Sequence, residues 1–232
     1  MTEADPATPV AEATLAAPVW DAPVRLVHWN LVLLVAFSWW SAEYHHTDWH
    51  LWSGYGVLFL VSFRLLWGVF GSSTARFAGF VRGPRGVIDY LRRAHRWDRI
   101  GHTPLGALSV VALLGLIAAQ LYFGLITTDE DGLVAGPLNR LVDFETGELA
   151  RTIHHQLFNV LLGFIVLHIG AIAFYRVVRA KDLVGPMVRG KATVPAGTAP
   201  FVPASTGRLV IALLLAAAFT AWVIMGAPPF KP

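Results

Sequence analysis

The chain has 232 residues, 55% of them hydrophobic and only 14% charged, against about a quarter charged in soluble domains. Mean hydropathy is +0.56, and nine tryptophans suit a protein with two water–lipid boundaries. A water-soluble enzyme, a disordered chain and a fibrous chain are thereby excluded, and a membrane domain of helices remains. There is no cysteine, which removes disulfides, covalently attached haem, iron–sulfur clusters and thiolate zinc sites. Any metal must be held by histidine, carboxylate or backbone oxygen, and nine histidines are available.

Residues 1–19 are rich in Ala, Pro and Thr, with three acids and no Lys or Arg. Without a positive region ahead of an apolar core they do not read as a secretory signal, and a disordered cytoplasmic tail is expected. Five apolar runs follow, at 23–41, 51–70, 104–126, 153–175 and 209–225, each roughly 17–23 residues and long enough to cross the hydrocarbon layer as helix. Asp21 ahead of Pro23 and Thr103 ahead of Pro104 are helix starts. Residues 192–208 read as a cytoplasmic linker to the last span, within a C-terminal segment 209–232.

Basic residues set the expected orientation. Arg25, the seven Arg between spans 2 and 3 (Arg76, Arg82, Arg85, Arg92, Arg93, Arg96, Arg99) and the six Lys and Arg between spans 4 and 5 (Arg176, Arg179, Lys181, Arg189, Lys191, Arg208) share one side. The other side has Arg140, Arg151 and Lys231. The rich side is expected to be cytoplasmic, with the N-terminus inside and the C-terminus outside, in a bacterial inner membrane. The outer segment near 127–152 holds Asp129, Glu130, Asp131, Asp143, Glu145 and Glu148. It is either a solvated loop or an acidic dock for a basic periplasmic electron carrier. The partners expected are lipid and redox proteins, not nucleic acid.

Five histidines lie within or at the ends of spans: His28, His50, His102, His154 and His168. Ionisable groups at membrane depth are costly and mark function. His154 and His168 are fourteen residues apart, so their rings leave one helix face about 21 Å apart along the axis. Phe158, Leu161 and Ile165 lie on the same stripe. His155 points about 140° away from His168. Two histidines near opposite faces of the bilayer suggest two metal centres, one above the other. Depth pairs His50 with His154 and His28 with His168, and two neutral imidazoles from facing helices suit the axial positions of a b-type haem.

Arg64 lies fourteen residues from His50, on the same helix face and level with the second centre. A haem propionate is its expected counter-ion, and snorkelling to the cytoplasm is the alternative. His102, in Gly101-His102-Thr103-Pro104, is read in three ways: a replacement ligand for His28 or His168, a hydrogen-bond partner of a quinone carbonyl, or a capping residue. His45, His46 and Asp48 are loop residues or, with His50, a surface metal site. Gly54, Gly56, Gly106, Gly115, Gly124, Gly163 and Gly170 permit close approach of helices or of a flat cofactor.

These residues resemble a family, the bacterial cytochrome b561 and nickel–iron hydrogenase b-type cytochrome group. The resemblance is carried by Arg25-x-x-His28-Trp29, His50-x-x-x-Gly54-Tyr55, Phe63-Arg64-x-x-Trp67-Gly68, Ala75-Arg76-Phe77-Ala78, Gly83-Pro84-Arg85, Gly101-His102-x-Pro104-Leu105-Gly106, His154-His155, Leu167-His168 and Met187-Val188-x-Gly190-Lys191. It runs from about residue 20 to 191 and implies an all-α integral membrane bundle. In it a four-helix core binds two non-covalent b-type haems through His28, His50, His154 and His168, and a fifth C-terminal span is added. It also implies electron transfer between a periplasmic partner, a hydrogenase or a soluble cytochrome, and the membrane quinone pool. Whether the chain is an electron-transfer subunit or a stand-alone quinone oxidoreductase is left open at this point. A reading from another class is a non-haem di-iron oxygenase built on His45, His46, His50, His154 and His155. A proton-relaying transporter is a third, but no broken helix or inverted repeat supports it.

Overall fold

The structure is a computed structural model that describes residues 14–92 and 100–229. Five of its helices are long and apolar enough to cross a membrane: α1 (Ala22–Glu43), α2 (Thr47–Phe70), α5 (Pro104–Ile126), α6 (Phe144–Val177) and α8 (Thr206–Ile224). Short helices α3 (Phe77–Phe80), α4 (Pro84–Arg92) and α7 (Val184–Arg189) lie in the connections at one end of the bundle. That end carries most of the Lys and Arg and is called the basic end here. The opposite, acidic end holds the α1–α2 turn and the connection from α5 to α6. Arg93, Arg96, Arg99 and Lys231 lie outside the described residues, as do residues 1–13 of the expected tail.

The helix starts follow from side-chain caps. Asp21 Oδ1 accepts from Val24 N at 2.8 Å and Thr103 Oγ1 from Gly106 N at 3.1 Å, satisfying backbone N–H groups that no helix carbonyl reaches. The fourth span differs from expectation. α6 begins at Phe144, where Asp143 Oδ1 accepts from Thr146 N at 2.7 Å. Hydropathy marks only the apolar part of a helix, and a helix already formed propagates cheaply into the polar turns before it. The intervening loop is folded on itself: Asp129 N donates to Val134 O at 2.9 Å, and Asn139 Nδ2 donates to Ile126 O at 2.9 Å.

The expected tail is also corrected. Residues 14–18 form strand β1 (Thr14–Pro18), paired antiparallel with β2 (Lys191–Pro195), with Thr14 opposite Pro195 and Pro18 opposite Lys191. Residues 14–18 read Thr-Leu-Ala-Ala-Pro and are mostly exposed, so this pairing rests on backbone bonds supplied by a distant segment. Further contacts fasten the clasp. Val19 N donates to Gly190 O at 2.8 Å, Thr74 Oγ1 donates to Val19 O at 2.6 Å, and Arg25 donates to Val188 O.

α2 is the central helix, with Val57, Leu58, Val61, Phe63, Arg64 and Trp67 all buried. α1 and α8 pack on it, α5 and α6 pack on each other, and the two groups meet along α2 and α5. α8 turns Ala212, Ala216, Thr220 and Val223 inward at helical spacing, small residues that let it approach closely. It is fixed at both ends, by Ser73 N to Val202 O at 2.9 Å and by Arg140 Nε to Gly226 O at 2.9 Å. The outward faces expose Leu33, Leu167 and Leu214, and lipid covers them.

Asp21 caps α1 and also accepts from Trp67 Nε1 at 2.8 Å. Asp21→Ala removes the cap, worth about 1 kcal/mol, and leaves the indole N–H unpaired. Its thermal midpoint in detergent is expected to fall clearly below wild type, and Asp21→Asn to recover most of the loss. Equal midpoints for Asp21→Ala and wild type would contradict this role.

Candidate functional site

At the acidic end the first turns of α2 and the upper turns of α6 bring His50 and His154 together. Their ring centroids are 6.1 Å apart and their planes stand at 86°. His50 Nδ1 lies 2.9 Å from Ser38 O on α1, and His154 Nδ1 lies 2.9 Å from Gln120 O on α5. A carbonyl only accepts, so each Nδ1 carries the hydrogen and each Nε2 is left as a free lone pair. That is the arrangement in which a histidine binds a metal. Rings at this spacing, each with a free Nε2, could hold one metal between them. His154 is also held from the side, because a Cβ at Gly124 would lie 2.8 Å from its Cε1.

Gly54 stands one turn beyond His50 and about 40° around the helix. A Cβ there would meet nothing within 4 Å, so the surface beside the ligand pair is open to a flat group.

Between the two ends the bundle is closed by aliphatic packing. Val57 and Val61 of α2, Ile117 of α5 and Leu161 of α6 are buried together, with Phe158 and Ile165 against them. The α6 stripe singled out in the sequence is therefore this spacer.

The basic end holds His28 on α1 and His168 on α6. His168 Nδ1 lies 3.1 Å from Ser109 Oγ on α5. His28 packs edge-on against Trp29 at 4.9 Å, and its buried Nδ1 has no partner among the described residues. Arg64 is buried, with Nη1 3.3 Å from Ala75 O and its guanidinium 4.9 Å above the Phe77 ring. It does not snorkel to solvent. Gly68 makes room for Phe77, since a Cβ there would fall 2.0 Å from that ring.

His102 is wedged between Trp20 at 4.5 Å and Phe80 at 4.4 Å, with Nδ1 buried and without a partner among the described residues. Burial pushes its imidazole down to about 3, and the nearby Arg64 charge acts in the same direction. It makes no ring contact with His28 or His168. Thr103, not His102, caps α5.

Among the described residues, the remaining histidines do not join either pair. His46 stacks with Trp49 at 4.8 Å and lies by Trp40 at 5.5 Å. His155 turns away from the His50–His154 pair and lines a cleft with Glu130, Glu148 and Arg151. Among the described residues no three His, Asp or Glu come together as a metal cluster, so the di-iron arrangement finds no site.

Sequence reasoning missed Ser38, Ser109, Gln120 and the specific need for glycine at Gly124. One signal was present. Ser109 and Gln120 interrupt an apolar span eleven residues apart, which returns within about 20° of three full turns. Only Ser109 meets its histidine by side chain; Gln120 meets His154 through its main-chain carbonyl.

Do these residues fit a haem? The donor set is imidazole alone, the His50 and His154 rings lie close enough to share one metal, and their Nδ1 atoms are held by helix carbonyls so that each Nε2 is free. They fit. Fold and site together define a multi-pass membrane cytochrome of the b type. A family model for prokaryotic cytochrome b561 matches residues 19–190, and the chain belongs to that family. No curated protein and no solved structure matches the chain. α8 lies beyond the matched segment. Membership makes the protein a membrane electron-transfer cytochrome carrying b-type haem.

His102 stays neutral in the fold down to about pH 3, whereas the unfolded chain takes up that proton near pH 6.5. The unfolded state therefore binds more protons below pH 6.5, and stability is expected to fall as pH drops from about 6.5 towards 3. His102→Gln should lose less of its thermal midpoint than wild type between pH 7 and pH 5. An identical loss in both proteins would remove His102 from this dependence.

Proposed function

We propose that the chain carries electrons across a bacterial inner membrane through two haems. His50 and His154 hold one, and His28 and His168 hold the other. The carrying observation is the His50–His154 pair, 6.1 Å apart with both Nδ1 atoms on backbone carbonyls. Each haem, when bound, supplies one-electron exchange between ferric and ferrous iron.

The chain's own residues do the rest. Val57, Val61, Ile117 and Leu161 keep water from the region between the centres. Arg64 has one hydrogen bond among the described residues and four further N–H donors, which suit a haem propionate. His102, near Arg64 and with an Nδ1 that has no partner among the described residues, suits a quinone carbonyl. Cationic loops favour the cytoplasmic side, so the basic end with the N-terminus is read as cytoplasmic and the acidic end as periplasmic.

The acidic end carries exposed Leu133, Val134 and Leu149 among Glu130, Asp131 and Glu148. An apolar patch rimmed by acids suits docking of a basic redox protein, a hydrogenase or a soluble cytochrome. Electrons then pass between that partner and the quinone pool. If no partner docks, the same site serves a stand-alone quinone oxidoreductase.

Reduced-minus-oxidised spectra and pyridine haemochrome assay test the assignment. Wild type is expected to bind two haems per chain. His50→Ala and His154→Ala should each lose one, His28→Ala and His168→Ala the other, and His102→Ala neither. Retention of both haems by all four ligand variants would overturn the assignment.

A further inference from the structure

The two histidine pairs are not equivalent, and the differences run the same way. At the acidic end both imidazoles donate through Nδ1 to main-chain carbonyls at 2.9 Å. A strong acceptor on Nδ1–H makes the ring a better electron donor through Nε2. Better donors stabilise ferric over ferrous iron and lower the midpoint potential. At the basic end His168 faces a serine hydroxyl at 3.1 Å, a weaker acceptor than an amide carbonyl, and His28 Nδ1 has no partner among the described residues. Those rings donate less.

The fixed charges add an independent contribution. Arg64 is buried at the basic end, and Arg25, Arg76, Arg176 and Lys191 surround that end. Asp21, near Arg64, offsets part of this charge. Asp129, Glu130, Asp131, Glu145 and Glu148 lie at the other end, against Arg140 and Arg151. Bis-imidazole haem iron loses one positive charge on reduction, so a positive surround favours the reduced form and a negative one the oxidised form.

Building on the two-haem reading, we infer that the His28–His168 centre has the higher midpoint potential, so that a protein holding one electron keeps it at the basic end. No bond or proton moves in this distribution. It makes the direction from the acidic face to the basic end thermodynamically downhill. The Gly124–Gln120 turn of α5 is the positioning element that keeps the other centre low. It seats the His154 ring against a carbonyl, with no space for a side chain between them.

The test is a redox titration of the haem-loaded protein in detergent, followed by α-band absorbance and EPR, with haem stoichiometry measured on the same sample. Two components are expected. His28→Ala should abolish the higher one and His50→Ala the lower. Gly124→Ala pushes the His154 ring off the Gln120 carbonyl, and should raise only the lower midpoint and alter only that centre's low-spin EPR signal. Ser109→Ala, which leaves the acidic end untouched, should raise only the upper midpoint, and Arg64→Met should lower it. Coincident midpoints, an inverted assignment, or Gly124→Ala shifting the upper component would overturn the inference while leaving two haems in place. One haem per wild-type chain would instead remove the two-haem reading, and this inference with it.

Discussion

An imidazole that offers one nitrogen to a metal must place the hydrogen on its other nitrogen, and within a bilayer no water is there to receive it. The helix pairing follows this requirement. Ser38 on α1 serves His50 on α2, Gln120 on α5 serves His154 on α6, and Ser109 on α5 serves His168 on α6. In each case the acceptor comes from the neighbour with which that helix is closely packed. The paired histidines face each other across the two packed groups instead. Each helix pair thus supplies the acceptors for these three rings from within itself, and His50 and His154 meet at the seam between the pairs.

The same requirement explains the crowding at Gly124. A carbonyl accepts from a ring only if the ring lies against the helix backbone, and a methyl group at that position would lift it away. The basic end solves a different problem, a buried guanidinium. Arg64 is met by the Ala75 carbonyl and the Phe77 ring, with Asp21 and an uncharged His102 near it. Asp21 in turn caps α1 and holds Trp67. One carboxylate therefore links the start of α1 to the α2 face that carries the buried charge.

Much of this was legible in the sequence, for a physical reason. Apolar runs must match a hydrocarbon layer of fixed thickness, and a helix has a fixed turn, so His154 and His168 were assignable to one face and to two depths. The central spacer of Phe158, Leu161 and Ile165 followed from the same arithmetic. What was not legible depended on the main chain. The β1–β2 clasp is made of backbone bonds between residues 14–18 and 191–195, and Ala, Pro and Thr side chains carry no trace of it. The polar first turns of α6 were missed because hydropathy reports where lipid is, not where a helix ends. The carbonyls of Ser38 and Gln120 belong to no residue type, so only their placement reveals them.

The fifth helix bears on why α2 can hold what it holds. α2 has α1 and α8 against it and meets α5 on the far side, so its buried residues include Arg64 as well as Phe63 and Trp67. Ala212 and Ala216 of α8 share a packed cluster with Val24, Val27, Phe63, Trp67 and Ala75, and Ala75 is the residue whose carbonyl receives Arg64. A charge at membrane depth is tolerable when protein, rather than lipid, lies around it. α8 lies outside the family-matched segment and completes that enclosure with small residues pressed against α2. It therefore belongs to the energetics of the basic end, and through Arg64 to the charge felt by the nearer histidine pair.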